Sequence, residues 1–409
     1  MNWSKIARWA VEAIIVARDR QGCDVSLRLV TDRHICKLTG LFAMIGQQLL
    51  RARKSARLSL REFAQRTGVS HTAIDKYEKG VLTPSSRQLI DFAKVLGVRG
   101  EFFFRPMKVE ITGVEYRKKA SIGQCLLNRV HGEVLDQAER WQELLSLYPD
   151  SPIEPFSVPA NLLGEIREEG QIEPFAEGLR EAWSLGLNPI PALIYTLESK
   201  GIRVIATGAV EQREFDSVAG KVDGVPLIVV GRDWNGDRQR FTLAHELAHL
   251  LLDGRVAPEL IETPRVPHKR GDLLERLCNR FARAFLMPRQ AVVAHLGARR
   301  RQLLPNELLL LKHKYGLSMQ GCLFRALDSQ VIDAASHQQL CRLFSQRDWR
   351  RQEPGVSYPP EEIILFKQLV FRALGEELLG ESKAAELLGI PLARFHRERK
   401  LEAMGATAH

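Results

Sequence analysis

The twelve residues FTLAHELAHLLL at positions 241–252 can be helical only inside a protein. Leu243, Ala244, Leu247, Ala248, Leu250 and Leu251 cover nearly every side of such a helix, and a helix that is apolar all round must be enclosed by other elements. His245, Glu246 and His249 go into the interior with it, and buried polar groups demand partners. Histidines four apart on a helix project from one face, a turn apart, which suits two imidazoles on one tetrahedral zinc. Glu246 stands beside the first histidine, where a carboxylate can take a proton from water activated by that metal.

A catalytic zinc site also needs a third protein ligand and an open fourth position. A third histidine six residues after the second is excluded, because that position is Arg255. The candidates for that third ligand are Asp253, His268, Asp272 and Glu275. Glu275 is the choice among them. It begins an amphipathic segment running to Met287 that would pack on the zinc helix, with Asn279 one turn later as a partner for a metal ligand. The competing structural use of Glu275 is an N-terminal-turn carboxylate facing the helix dipole. His268, beside Lys269 and Arg270, reads as a loop residue. Spacing singles out no oxyanion stabiliser; Tyr315 and His313 are candidates only because their side chains can donate.

A chain of 409 residues exceeds what one hydrophobic core supports, so two or three folded units are expected. The net charge of +10 favours a polyanionic partner, and it is unevenly spread. Residues 44–105 hold 12 Lys/Arg against 5 Asp/Glu, a local excess of 12 − 5 = +7. Within them, LSLREFAQRTGVSHTAIDKYEKG at 58–80 has the marks of two short helices joined by a tight turn. Ser59 and Glu62 form a capping-box pattern, Gly68 falls where the turn needs a positive φ, and Ser70 caps the second helix. Ala64 lets the helices approach, and Phe63, Val69, Ile74 and Tyr77 supply the apolar contacts. This is the geometry that sets a recognition helix in the DNA major groove. His71, Thr72 and Asp75 face outward as candidates for base edges, with Lys76 and Lys79 beside them. Arg51, Arg53, Lys54 and Arg57 are candidates for phosphate contacts.

The six cysteines, at 23, 36, 125, 278, 322 and 341, form no CxxC pair. That argues for reduced thiols in a cytoplasmic protein, against a disulfide framework and against a thiolate zinc site. Ala10–Ala17 is too short to cross a bilayer, so no membrane role is expected.

These readings give an α+β chain, mostly α. Residues 1–43 form an N-terminal extension, 44–106 a five-helix DNA-binding domain, 107–159 a helical linker, 160–295 the zinc domain with a small sheet, and 296–409 a helical C-terminal region. Strands are expected at 202–207, 215–222 and 225–230, the last two joined by a tight turn at Asp223-Gly224. The helical tail is broken by a Pro-rich connection near Glu353–Pro360. Its segment ESKAAELLGIPLAR at 381–394 has the Ala-x-x-Leu-Gly-Ile pattern of another helix-turn-helix, against the commoner reading of an ordinary helical corner. Dimerisation or signal sensing are equally open uses of this tail.

Residues 46–105, with the trailing Thr83-Pro84-Ser85 and Leu96-Gly97-Val98, resemble the XRE/Cro-type helix-turn-helix of bacterial and phage repressors. The resemblance implies a double-stranded DNA operator, commonly a palindrome bound by a homodimer. Residues of about 170–290 resemble the ImmA/IrrE metallopeptidase domain, in which FTLAHELAHLLL is followed by a helix of form E-x-x-x-N-x-F-A-x-x-F-L-M-P. Here Glu275, Asn279, Phe281, Ala282, Phe285, Leu286, Met287 and Pro288 supply that pattern. The resemblance implies that His245, His249 and Glu275 bind zinc and that Glu246 is the general base. It also implies an upstream hairpin edge that can accept an extended substrate strand. Together the two resemblances imply a transcriptional regulator that cleaves a repressor or antitoxin-like partner. The alternative is a regulator whose peptidase-like domain senses without turnover.

Overall fold

A computed structural model of the chain describes residues 44–54, 56, 58–98, 100–104, 111–112, 124–208, 217–262 and 270–401. The N-terminal extension, Arg57 and His268 lie outside them. The chain divides into two compact units, with the boundary between Met107 and Lys108.

In the first unit, helical residues 44–54 (α1) are followed by α2 (Leu60–Thr67), α3 (His71–Glu78) and α4 (Ser86–Leu96). The fifth expected helix is a 3₁₀ turn, Gly100–Phe104. Its five residues are too few for a stable α-helix, and it serves to set Phe102 and Phe103 into the core. Ile45, Leu49, Phe63, Ile74, Leu89, Phe92 and Phe103 form that core. The capping box is as expected: Ser59 Oγ accepts from the Glu62 amide at 3.1 Å, and Glu62 Oε2 accepts from the Ser59 amide at 2.7 Å.

The second unit is an α+β assembly, predominantly helical. Among the described residues, its strands β1 (Ile111–Thr112), β2 (Arg203–Thr207), β3 (Ser217–Val222) and β4 (Val225–Gly231) lie in the order β1-β3-β4-β2. β3 and β4 form the expected hairpin, with Val222 opposite Val225. Asp223 and Gly224 take φ values of 49° and 80°, the two positive values that a type I′ turn requires. β2 runs parallel to β4 and β1 antiparallel to β3.

The helices of this unit are α5 (Gln124–Leu145), α6 (Ile172–Ala182), α7 (Leu193–Ser199), α8 (Gly236–Leu252), α9 (Pro258–Glu262), α10 (Arg270–Leu286), α11 (Arg289–Leu296), α12 (Pro305–Tyr315), α13 (Met319–Asp328), α14 (Ala334–Gln346), α15 (Leu365–Gly375), α16 (Glu381–Leu388) and α17 (Leu392–Arg399). Among the described residues, no helix is long and apolar enough to cross a membrane. α8 packs against β3 and β4 on one side and α10 on another, and α10 in turn packs on α6. Leu243, Ala244, Leu247, Ala248 and Leu251 are thereby sealed from water.

The start of α8 is clamped by the Pro-rich connection at 353–361. The Gly236 amide donates to the Tyr358 carbonyl at 3.1 Å, and the Glu361 amide donates to Gln239 Oε1 at 3.0 Å. Arg240, fully buried, pairs with the Glu361 carboxylate and donates to the Ile190 carbonyl at 2.7 Å. The same carboxylate accepts from the Leu193 and Ile194 amides at the start of α7. One buried ion pair therefore ties three segments together.

A separate core joins α5 to α15, α16 and α17 through Trp141, Leu144, Tyr148, Leu369, Val370, Ala384, Ala385 and Phe395. Tyr148, within the expected linker at 107–159, donates its hydroxyl to the Leu369 carbonyl at 2.6 Å.

Candidate metal centre and nucleic-acid interface

α8 and α10 cross so that His245 and His249 from one helix meet Glu275 and Cys278 from the other. The two Nε2 atoms are 3.1 Å apart. A Glu275 carboxylate oxygen lies 3.3 Å from His249 Nε2, and the other lies 3.7 Å from His245 Nε2. In a tetrahedral site with metal–ligand bonds of about 2.0–2.1 Å, ligand atoms stand about 3.3 Å apart, so the set fits zinc in size and in donor type. The arrangement is graded in depth. The side chain of His245 is 3% exposed, that of His249 18% and that of Glu275 38%, which leaves one flank open to a reactant.

Glu246, 2% exposed, accepts a hydrogen bond at 2.6 Å from Ser217 Oγ at the start of β3. Its carboxylate is thus fixed from the sheet side while its helix supplies the histidines. The motif gave no hint of Ser217, which lies 29 residues earlier on a strand whose register only the fold defines. Cys278 is the second residue that sequence reasoning missed. It is fully buried, and its Sγ lies within 4.8 Å of a ring nitrogen of each histidine. CxxC spacing is blind to such a thiol, which reaches the histidines as the i+3 neighbour of Glu275 on α10. Asn279, the expected partner of a ligand, is half-buried on the same helix.

Of the other candidates for a third ligand, Asp253 is exposed beyond the end of α8. His268 and the side chain of Asp272 lie outside the described residues. Tyr315 is directed into the core, its hydroxyl 3.2 Å from His295 Nε2, and burial pushes that phenol up from its ordinary value. His313 lies in the last turn of α12.

The first unit places its candidates on an open surface. Ser70 Oγ accepts from the Ala73 amide at 3.2 Å and starts α3, from which His71, Thr72 and Lys76 reach solvent. Asp75 pairs with Lys79 at 2.7 Å. Two of the expected phosphate contacts are overturned. Arg53 is 8% exposed and bidentate with Glu78, at 2.5 and 2.7 Å, while also donating to the Leu58 carbonyl. Arg51 is 6% exposed, with its guanidinium over the Phe102 ring at 5.9 Å. Both lie on the inner side of α1, where local charge counting cannot distinguish a core arginine from a surface one. Lys54 is half-buried.

Comparison with known families agrees with this geometry. Residues 49–103 match the helix-turn-helix family model, and residues 197–326 match the model of the IrrE N-terminal-like domain. Two separate segments of the chain thus carry these two domain types, a helix-turn-helix followed by an IrrE-like domain. The IrrE-like match extends past α10 to take in α11, α12 and most of α13. The chain is also similar to an uncharacterised HTH-type transcriptional regulator of Sinorhizobium fredii, 29% identical over 97 residues. That alignment covers 24% of this chain and 48% of the relative, so the chain spans about half the relative's length.

Proposed function

We propose that the chain is a DNA-binding transcriptional regulator whose IrrE-like domain binds zinc and hydrolyses a peptide bond in a repressor or antitoxin-like partner protein. The observation that carries the hydrolytic half is the convergence of His245, His249 and Glu275 beside a Glu246 that is held in place by Ser217. Zinc, when bound, polarises a carbonyl and lowers the pKa of water towards ~7. Glu246 is placed to receive the proton of the attacking water and to return it to the leaving amine. Ser217 keeps that carboxylate from swinging away. Among the described residues β1 pairs with β3 only at Val222 and Lys221, so an extended substrate would add along Ser217–Gly220, next to Glu246.

In the DNA-binding half, His71, Thr72 and Lys76 read base edges from the exposed face of α3, and a homodimer on a palindromic operator in the cytoplasm is the assembly we favour.

The test is cleavage of a panel of peptides by zinc-loaded protein. The wild type is expected to cut members of the panel, while Glu246→Gln retains one zinc per chain and cuts them at least a hundredfold more slowly. Undiminished cleavage by that variant would remove the proposed chemistry. A footprint at the chain's own promoter, lost in Thr72→Ala/Lys76→Ala, tests the other half.

A second reading is favoured by Cys278. A thiolate that close to the two rings can close the fourth position, leaving a metal-dependent sensor without turnover. Zinc binding and promoter regulation with no cleavage by either wild type or Cys278→Ala would select it.

A further inference from the structure

The helix pair α16–α17 repeats the spacing of the helix-turn-helix in the first unit, position for position. In each, an eight-residue helix ends on a left-handed glycine, Gly68 at φ 69°, ψ 13° and Gly389 at φ 68°, ψ 26°. Two residues follow, Val69-Ser70 and Ile390-Pro391, before a second eight-residue helix begins. The residue preceding that second helix has the same backbone in both, φ −60°, ψ 143° at Ser70 and φ −60°, ψ 144° at Pro391. A small residue, Ala64 or Ala385, occupies the fifth position of the first helix. A buried anchor, Ile74 or Phe395, occupies the fourth position of the second. A left-handed residue between two helices is strained for any side chain, so glycine at both corners serves the same turn.

The surface of α17 differs from that of an ordinary packed corner. Phe395 is its only buried residue, while Ala393, Arg394, His396, Arg397 and Arg399 are exposed and exposed Lys400 follows. Residues 392–400 carry four Lys/Arg against Glu398 alone, a net 4 − 1 = +3. A helix that docks on protein would present apolar anchors along this stripe; here it is cationic. Several of these cations are paired on the surface, Arg394 with Glu398 at 2.9 Å and Arg399 with Glu381. The arginine side chains of these two pairs are 46% and 52% exposed, so their guanidinium groups stay within reach of a phosphate. Arg397 makes no ion pair among the described residues.

We propose that residues 365–401 are a second duplex-DNA-binding module, in which α17 enters the major groove and α15 and α16 support it. The chain then holds two readers. Binding both at once on one DNA raises the effective affinity of each without any new contact.

The experiment selects sequences from a pool of duplexes with 30 randomised base pairs, using the full chain and two variants. Thr72→Glu/Lys76→Glu disables α3, and Arg394→Glu/Arg397→Glu disables α17. The α3 variant is expected to retain one enriched sequence class, and the α17 variant to lose at least tenfold in affinity for that class. The slope of log K against log salt should fall by about 2 in the α17 variant, since two phosphate-neutralising charges are gone. Arg394→Gln/Arg397→Gln, at exposed positions, should show the same loss with an unchanged melting temperature, which separates it from misfolding. The proposal is overturned if the α17 variants bind and select as the wild type does, or if α3 substitution alone abolishes all selection. It is equally overturned if the α17 variants change only self-association in sedimentation. Selection lost with α17 and untouched by α3 substitution would instead sink the reading of the first unit.

Discussion

α3 and α8 each carry the side chains on which a function rests, yet they hold them in opposite media. α3 shows His71, Thr72 and Lys76 to water and buries only Ile74 and Glu78. α8 takes Asp237, Gln239, Arg240, His245 and Glu246 into the interior. In water a polar group is satisfied wherever it points. Inside, each needs a partner from another element: Glu361 and the Ile190 carbonyl for Arg240, Ser217 for Glu246, Glu275 for the histidines. An exposed functional face can therefore change residue by residue, whereas a buried one is tied to the chain around it.

The largest expected effect tests that contrast where it is strongest. Arg240→Ala strands the Glu361 carboxylate in a water-free site, and loss of one member of a buried ion pair costs about 3–5 kcal/mol. Chemical denaturation of the second unit should show a loss in that range. The double variant Arg240→Met/Glu361→Gln should recover much of it, because the stranded charge is gone. A loss below ~1 kcal/mol for Arg240→Ala would mean that burial does not set the scale.

Glu78, the one charged group that α3 buries, carries the same logic into the first unit. Its partner Arg53 is replaced in Arg53→Met, which should cost about 3 kcal/mol, the lower end of the same range. The effect should be confined to the first transition if the two units melt apart. It should leave zinc content unchanged.

These two arginines also show where sequence reasoning stops. Local features were legible: the Ser59–Glu62 box, Gly68, the Asp223-Gly224 turn and the one-turn spacing of His245 and His249 all act within a few residues. Glu275 was legible as well, because helical periodicity carries a carboxylate from one amphipathic face onto a neighbouring apolar helix. Local charge alone marks Arg53 as a phosphate contact, because its partner Glu78 lies 25 residues on. Arg240 meets Glu361 across 121 residues, and Cys278 joins the histidines only after α10 docks on α8. Partners set by docking leave no periodic trace.

Glu198 sharpens the comparison through pH. It is fully buried on α7, with no hydrogen-bond partner for either carboxylate oxygen among the described residues, and burial pushes its pKa up to about 8. The folded state therefore holds a proton that the unfolded state releases near its ordinary value of 4.5. That contribution is fully present below pH 4.5 and is lost as the pH rises through about 8. Between those values stability should fall by up to ~1.4 kcal/mol per pH unit from this group. Glu198→Gln should flatten that slope in urea titrations run at successive pH values; an unchanged slope would show that the carboxyl reaches water.

The smallest effect belongs to the exposed helix. Lys79 and Asp75 pair at 2.7 Å with side chains 65% and 39% exposed, so Lys79→Ala should change stability by no more than about 0.5 kcal/mol. Its binding effect should be separable: loss of one phosphate-neutralising charge lowers the salt slope by about 1 and weakens all duplex sequences alike. Asp75→Asn, which frees Lys79 from its partner and removes a negative charge from the DNA-facing side, should tighten binding instead. If Lys79→Ala destabilised the first unit by more than ~1.5 kcal/mol, the exposed face would be as tightly tied to its fold as the buried one. The distinction between α3 and α8 would then rest on chemistry alone, and the freedom to vary the DNA-reading face without unfolding it would be gone.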